Sequence, residues 1–96
     1  MKGGYAVQMT AAFQRDYQRL APNIQEEVNR CVLDVETRDP LPAGRRPHSV
    51  TPRGVKPTIY TLDVTANKAY KLSFHLDGHI AILRRVATHR QIDRSA

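Results

Sequence analysis

Ninety-six residues suffice for one modest hydrophobic core, and the chain reads as a single domain, 1–96. Hydrophobic residues at 41% and charged residues at 25% suit a soluble globular protein, and no apolar run approaches the roughly 20 residues that a membrane span needs. Lys and Arg outnumber Asp and Glu by 15 to 9, a net charge of +6 that points to an anionic partner.

The charge is unevenly placed. Residues 1–44 hold five Lys/Arg and six Asp/Glu, whereas residues 45–96 hold ten and three, together with all four histidines. Cys31 is the only cysteine, which excludes an internal disulfide and a cysteine-based metal site and suits a reducing cytoplasm. The opening MKGGYAVQMT has no apolar core, so no secretory signal is expected.

Tyr5–Met9 alternates and predicts a first strand. Thr10 is placed to cap a helix running to about Leu20, with Phe13, Tyr17 and Leu20 on one face. Ala21-Pro22-Asn23 ends that helix and opens a second, since proline is tolerated in a first turn. Ile24, Val28, Cys31, Val32 and Val35 form its apolar stripe. So short a link predicts an antiparallel helical hairpin lying on a sheet. Cys31 falls inside the stripe and reads as a buried small hydrophobe.

Asp39–Pro57 carries five prolines, two glycines and the cations Arg45, Arg46, Arg53 and Lys56, and is expected to be an ordered loop forming a basic arm. Thr58–Val64 is β-branched and aromatic, a second strand, and Thr65–Lys68 is a turn. From Ala69 the alternation Tyr70, Leu72, Phe74, Leu76 marks a third strand; Asp77-Gly78 predicts a two-residue turn into a fourth, His79–Ala87. That turn sets Phe74 opposite Ala81 and Leu72 opposite Leu83. On the polar face it sets Lys71 against Arg84, a like-charge conflict that an anion would relieve, and it leaves Ile80 and Ile82 exposed as contact points for a partner.

The expected fold is therefore α+β: an antiparallel four-stranded sheet with a helical hairpin packed on one face, in the order β-α-α-β-β-β. Its core should hold Phe13, Tyr17, Leu20, Ile24, Val28, Cys31, Val35, Leu72, Phe74 and Leu83.

No metal or other cofactor is implied by the chemistry of the chain. His75 and His79 flank a turn without a carboxylate cluster, and phosphate loops, nucleophile elbows and paired carboxylates are missing. Cations and histidines gathered on one sheet face suit the cleavage of RNA by its own 2′-OH. That reaction asks for a proton acceptor, cations around the phosphate and a proton donor. His89 suits acid–base work, and Lys71, Arg84 and Arg90 suit charge stabilisation. Arg45, Arg46, Arg53, Lys56 and His75 are the expected RNA contacts.

Tyr70-Lys71-Leu72, Val86-Ala87-Thr88-His89-Arg90, the hairpin with Phe13, Tyr17 and Leu20, and Asp39-Pro40 after the second helix resemble the RelE/ParE superfamily of bacterial toxins. The resemblance covers nearly the whole chain. It implies a small α+β fold, a cytoplasmic toxin and a cognate antitoxin that wraps it. In the RelE-like branch it implies ribosome-dependent mRNA cleavage and inhibition of translation, with Lys71 at a strand-arginine position, His89 or Arg90 as the late basic residue, and Arg53 and Lys56 upstream. Ile92-Asp93 stands where many members carry a tyrosine. In the ParE-like branch it implies inhibition of DNA gyrase, for which Arg85-Val86, His89 and Asp93 are the similar residues. A basic nucleic-acid-binding module without toxicity is the third alternative.

Overall fold

A computed structural model describes residues 1–96. The elements run β1 (Ala6–Met9), α1 (Ala11–Gln18), α2 (Pro22–Thr37), β2 (His48–Ser49), β3 (Tyr60–Asp63), β4 (Tyr70–Asp77), β5 (Ile80–Thr88) and α3 (His89–Arg94), with a 3-10 turn at Ala43–Arg45. Thr10 caps α1, its Oγ1 accepting the Phe13 N–H at 3.1 Å. Pro22 opens α2, whose stripe of Val28, Cys31, Val32 and Val35 is buried. No helix is long and apolar enough to cross a membrane.

The α+β class and the helical hairpin hold, but the sheet is not the expected four antiparallel strands. It has five, in the order β1-β5-β4-β3-β2, and β1 runs parallel to β5. Only strands joined by tight turns are forced to be antiparallel. β1 is separated from β5 by two helices and three strands, so it fills the open edge of β5 in the same direction. The fifth strand, β2, lies within the stretch read as a loop: between its prolines, His48 and Ser49 pair with Thr61 and Tyr60.

The β4–β5 hairpin differs from the expected register for two reasons. Its turn is Gly78-His79, with Gly78 at φ +59°, so Asp77 pairs with Ile80, Leu76 with Ala81 and Phe74 with Leu83. A shift of two residues leaves the faces unchanged. A bulge beside Ser73/Phe74 then leaves Arg84 unpaired, and Ser73 meets Arg85, Leu72 meets Val86 and Lys71 meets Ala87. The expected opposition of Lys71 and Arg84 does not exist.

The bulge lies where β1 gives way to α1. The Thr10 hydroxyl donates to the Arg84 carbonyl at 3.1 Å, and Thr10 N–H donates to the Leu83 carbonyl at 3.0 Å. Asp16 on α1 then accepts the Val86 N–H at 3.1 Å and the Arg85 guanidinium at 2.6 and 3.2 Å. One buried carboxylate thus satisfies the strand edge that β1 no longer covers. It also holds Arg85 above the ordinary arginine value, chiefly through that hydrogen bond.

The core lies between the hairpin and one sheet face. Phe13, Val28, Cys31, Val35, Leu72, Phe74 and Leu83 are buried there as expected, while Tyr17, Leu20 and Ile24 pack against them partly covered. Val32, Leu41, Leu62, Val64, Ala81 and Val86 complete the cluster, and Tyr60 stacks on Phe74 with ring centroids 5.6 Å apart. Burial pushes the Cys31 thiol up to about 12, as befits a packing residue.

Candidate functional site

The second sheet face is set by alternation. Residues 59, 61 and 63 at β3, residues 71, 73 and 75 on β4, and Ala87 on β5 point away from the helical hairpin. α3 packs against β4 and β5. Its Ile92 is buried yet stands apart from the main core cluster, and it shares a groove with Ile59 and Val50. α3 was not expected from sequence. Its signal is the capping box: Gln91 N–H donates to Thr88 Oγ1, and Thr88 N–H donates back to the Gln91 side chain.

This face also carries a buried polar floor. Thr61, Asp63, Lys71 and Ser73 are 1, 4, 4 and 0% exposed. Asp63 and Lys71 are direct cross-strand partners. Asp63 Oδ2 and Ser73 Oγ have no hydrogen-bond partner; the nearest cation to Asp63 Oδ2 is the Arg46 guanidinium, 3.9 Å away. Lys71 is thus an interior residue rather than a surface cation.

Two histidines are held in opposite tautomers, His48 on the edge strand β2 beside Thr61 and His89 just after β5, with β3 and β4 between their strands. His48 Nδ1 lies 2.8 Å from the Arg46 carbonyl, which can only accept, so Nδ1 carries the proton. Its Nε2 keeps a lone pair 3.4 Å from the Thr61 hydroxyl. His89 opens α3, and its Nε2 lies 2.9 Å from Asp93 Oδ2, which makes Nε2 the protonated nitrogen and leaves Nδ1 free. Both His48 and His89 are exposed. His48 was absent from the expected site; its signal was a histidine inside the basic arm.

The other expected residues are dispersed. Arg90, Arg46, Arg53 and Lys56 are exposed. Arg84 donates to His75 Nδ1 at 3.1 Å, near the hairpin tip. Arg45 is committed elsewhere. It grips Asp34 at 2.6 Å and the carbonyls of Asp63 and Val64 at 3.1 Å each, pinning the basic arm to α2 and β3, so its expected role as an RNA contact is withdrawn. Ile80 and Ile82 are half-buried rather than exposed, because β1 lies alongside them.

No family model and no curated protein matches this chain. Solved structures do. The fold is that of the RelE/YafQ toxins of toxin–antitoxin systems, whose likeness spans nearly the whole chain. A copper-bound mutant toxin from Helicobacter pylori superposes with a TM-score of 0.67 at 16% identity, over 92% of this chain and 98% of that one. A chain of the RelB–RelE antitoxin–toxin complex from Methanococcus jannaschii gives 0.64 at 16%, over 92% and 96%. A chain of the DinJ–YafQ toxin–antitoxin complex from E. coli gives 0.63 at 15%, over 93% and 97%. At these identities the likeness is one of fold.

Proposed function

We propose that this protein is the toxin of a toxin–antitoxin pair and a ribosome-dependent mRNA endoribonuclease that blocks translation in the cytoplasm. The observation that carries this reading is two exposed histidines, His48 with a free Nε2 lone pair and His89 backed by a carboxylate. The fold shared with RelE and YafQ supports it.

In this mechanism His48 Nε2 takes the proton from a ribose 2′-OH. The 2′-oxygen attacks the adjacent phosphorus, a P–O2′ bond forms and the P–O5′ bond breaks. Protonated His89 gives its Nδ1 proton to the departing 5′-oxygen, while Asp93 stabilises the imidazolium from the other side. Arg46 and Arg90 offset the charge that grows on the phosphate. In the resting arrangement Lys71 is buried, so its charge acts from within the protein rather than by contact. A site of separated, exposed groups gains most from substrate alignment, and the ribosome supplies that.

The antitoxin has a fitting surface on the opposite side. An apolar cleft of about 460 Å³ runs between Met9, Phe13, Tyr17, Val28, Val32 and Leu33, beside the open edge of β1. Met9 and Leu33 are about half exposed there, 48 and 56%. This cleft replaces Ile80 and Ile82 as the expected contact.

Purified protein added to a reconstituted translation reaction should cleave mRNA, and His48→Ala and His89→Ala should each slow cleavage by about 10²–10⁴-fold without loss of fold. No cleavage with or without ribosomes, together with trapped gyrase–DNA complexes, would transfer the assignment to gyrase inhibition.

A further inference from the structure

On the second face, a groove of about 410 Å³ lies between the segment following β2 and the helix α3. Val50, Pro52, Ile59 and Ile92 supply its apolar walls, and Thr51, Asp93 and Arg94 its polar rim. Two features tie it to nucleic acid. Asp93 is also the carboxylate that holds His89, so whatever occupies the groove lies beside that histidine. The segment that supplies Val50, Thr51 and Pro52 to the groove runs on into the exposed cations Arg53 and Lys56 outside it, and no acid lies between Asp39 and Asp63.

We infer that this groove is a base-binding subsite for single-stranded RNA, taking the unstacked base of a nucleotide next to the cleaved linkage. The inference rests on the ribonuclease reading and adds a substrate contact to it. An unpaired base offers a flat apolar face and a polar edge. The aliphatic and proline walls suit the face, the Arg94 guanidinium can stack on it, and Thr51 and Asp93 can bond its edge. Arg53 and Lys56 lie on the same arm, where cations complement the flanking phosphates. Residues that bind phosphate alone would need no apolar walls, and a groove built only for a protein helix would not need the cations of the adjoining arm.

The experiment is zero-length photo-cross-linking with RNA carrying 4-thiouridine at successive positions, both with free RNA and with the same RNA threaded on programmed ribosomes. Cross-linked peptides are mapped by mass spectrometry. Cross-links from one nucleotide position should fall on residues 50–52 and 92–96. Val50→Glu should lower that yield roughly tenfold. Val55→Glu adds the same charge at an equally exposed apolar residue outside the groove, and should lower it far less. Cross-links confined to other peptides, or equal losses in the two variants, would overturn the base subsite while leaving the nuclease reading intact. Absence of both cross-linking and mRNA cleavage, in either arm, would overturn the two together.

Discussion

Strands β3 and β4 have two faces that are almost equally buried and chemically opposite. Toward the helical hairpin stand Leu62, Leu72 and Phe74, each 0% exposed. On the opposite face stand Thr61, Asp63, Lys71 and Ser73, none more than 4% exposed. Covering a large apolar side chain stabilises a fold by roughly 1.5–3 kcal/mol. Leaving a buried polar group without a partner costs roughly 1–3 kcal/mol, and Asp63 Oδ2 and Ser73 Oγ are both in that state. One face is therefore organised for stability. The other is kept polar against stability, which is the pattern expected of a surface retained for function.

The comparison can be broken hardest on the apolar side. Phe74→Ala should cost about 3–5 kcal/mol in denaturant unfolding, because the ring is fully covered and stacked on Tyr60. A loss below about 1 kcal/mol would mean that this face is not the stabilising one. Asp16→Ala should come next, at about 2 kcal/mol. It strips the Arg85 guanidinium and the Val86 N–H of their shared acceptor, at the place where β1 stops covering the edge of β5. A silent Asp16→Ala would mean that water serves that edge equally well.

Much of the apolar face was legible because its signals are local. Thr10 followed by Phe13 and Tyr17 specifies α1, and the stripe from Ile24 to Val35 specifies α2. What escaped depends on distant partners. The parallel pairing of β1 has no local mark. The bulge at Arg84 carries no glycine or proline, and the groups that meet it, Thr10 and Asp16, lie about seventy residues away in sequence. α3 is too short to show a period, and the apolar run of β5 leads straight into it, so only Thr88 and Gln91 announced it. For the candidate site the sequence marked residue types, cations and histidines, but not where the fold would set them. Lys71 alternates like a solvent-facing residue and is nevertheless buried. Arg45 looked like part of a free basic run and proves to be a structural clamp.

Cys31 sharpens the contrast through pH. Burial lifts its thiol to about 12, whereas the unfolded chain ionises near 8.5. The folded state thus holds a proton that the unfolded state releases, and stability from this group is complete below about pH 8.5 and falls as pH rises toward the folded value. Denaturant melts at pH 7 and pH 10 should show a larger loss for the parent protein than for Cys31→Ala. An equal loss would mean that the thiol reaches water. The native protein should also resist thiol reagents at pH 8.

The smallest effect tests the polar face most directly. Ser73 adjoins Phe74 in sequence and is equally covered, but its Oγ has no hydrogen-bond partner. Ser73→Ala removes that group and little volume, so the change should be neutral or stabilising by up to about 1 kcal/mol, beside the several kcal/mol lost one residue away. Denaturant unfolding of the two variants under one condition reads both numbers. A destabilisation by Ser73→Ala of more than about 1 kcal/mol would show that the hydroxyl is satisfied in the folded protein. The floor would then be an ordinary hydrogen-bonded interior, and its polarity would no longer distinguish the face that borders His48 and His89.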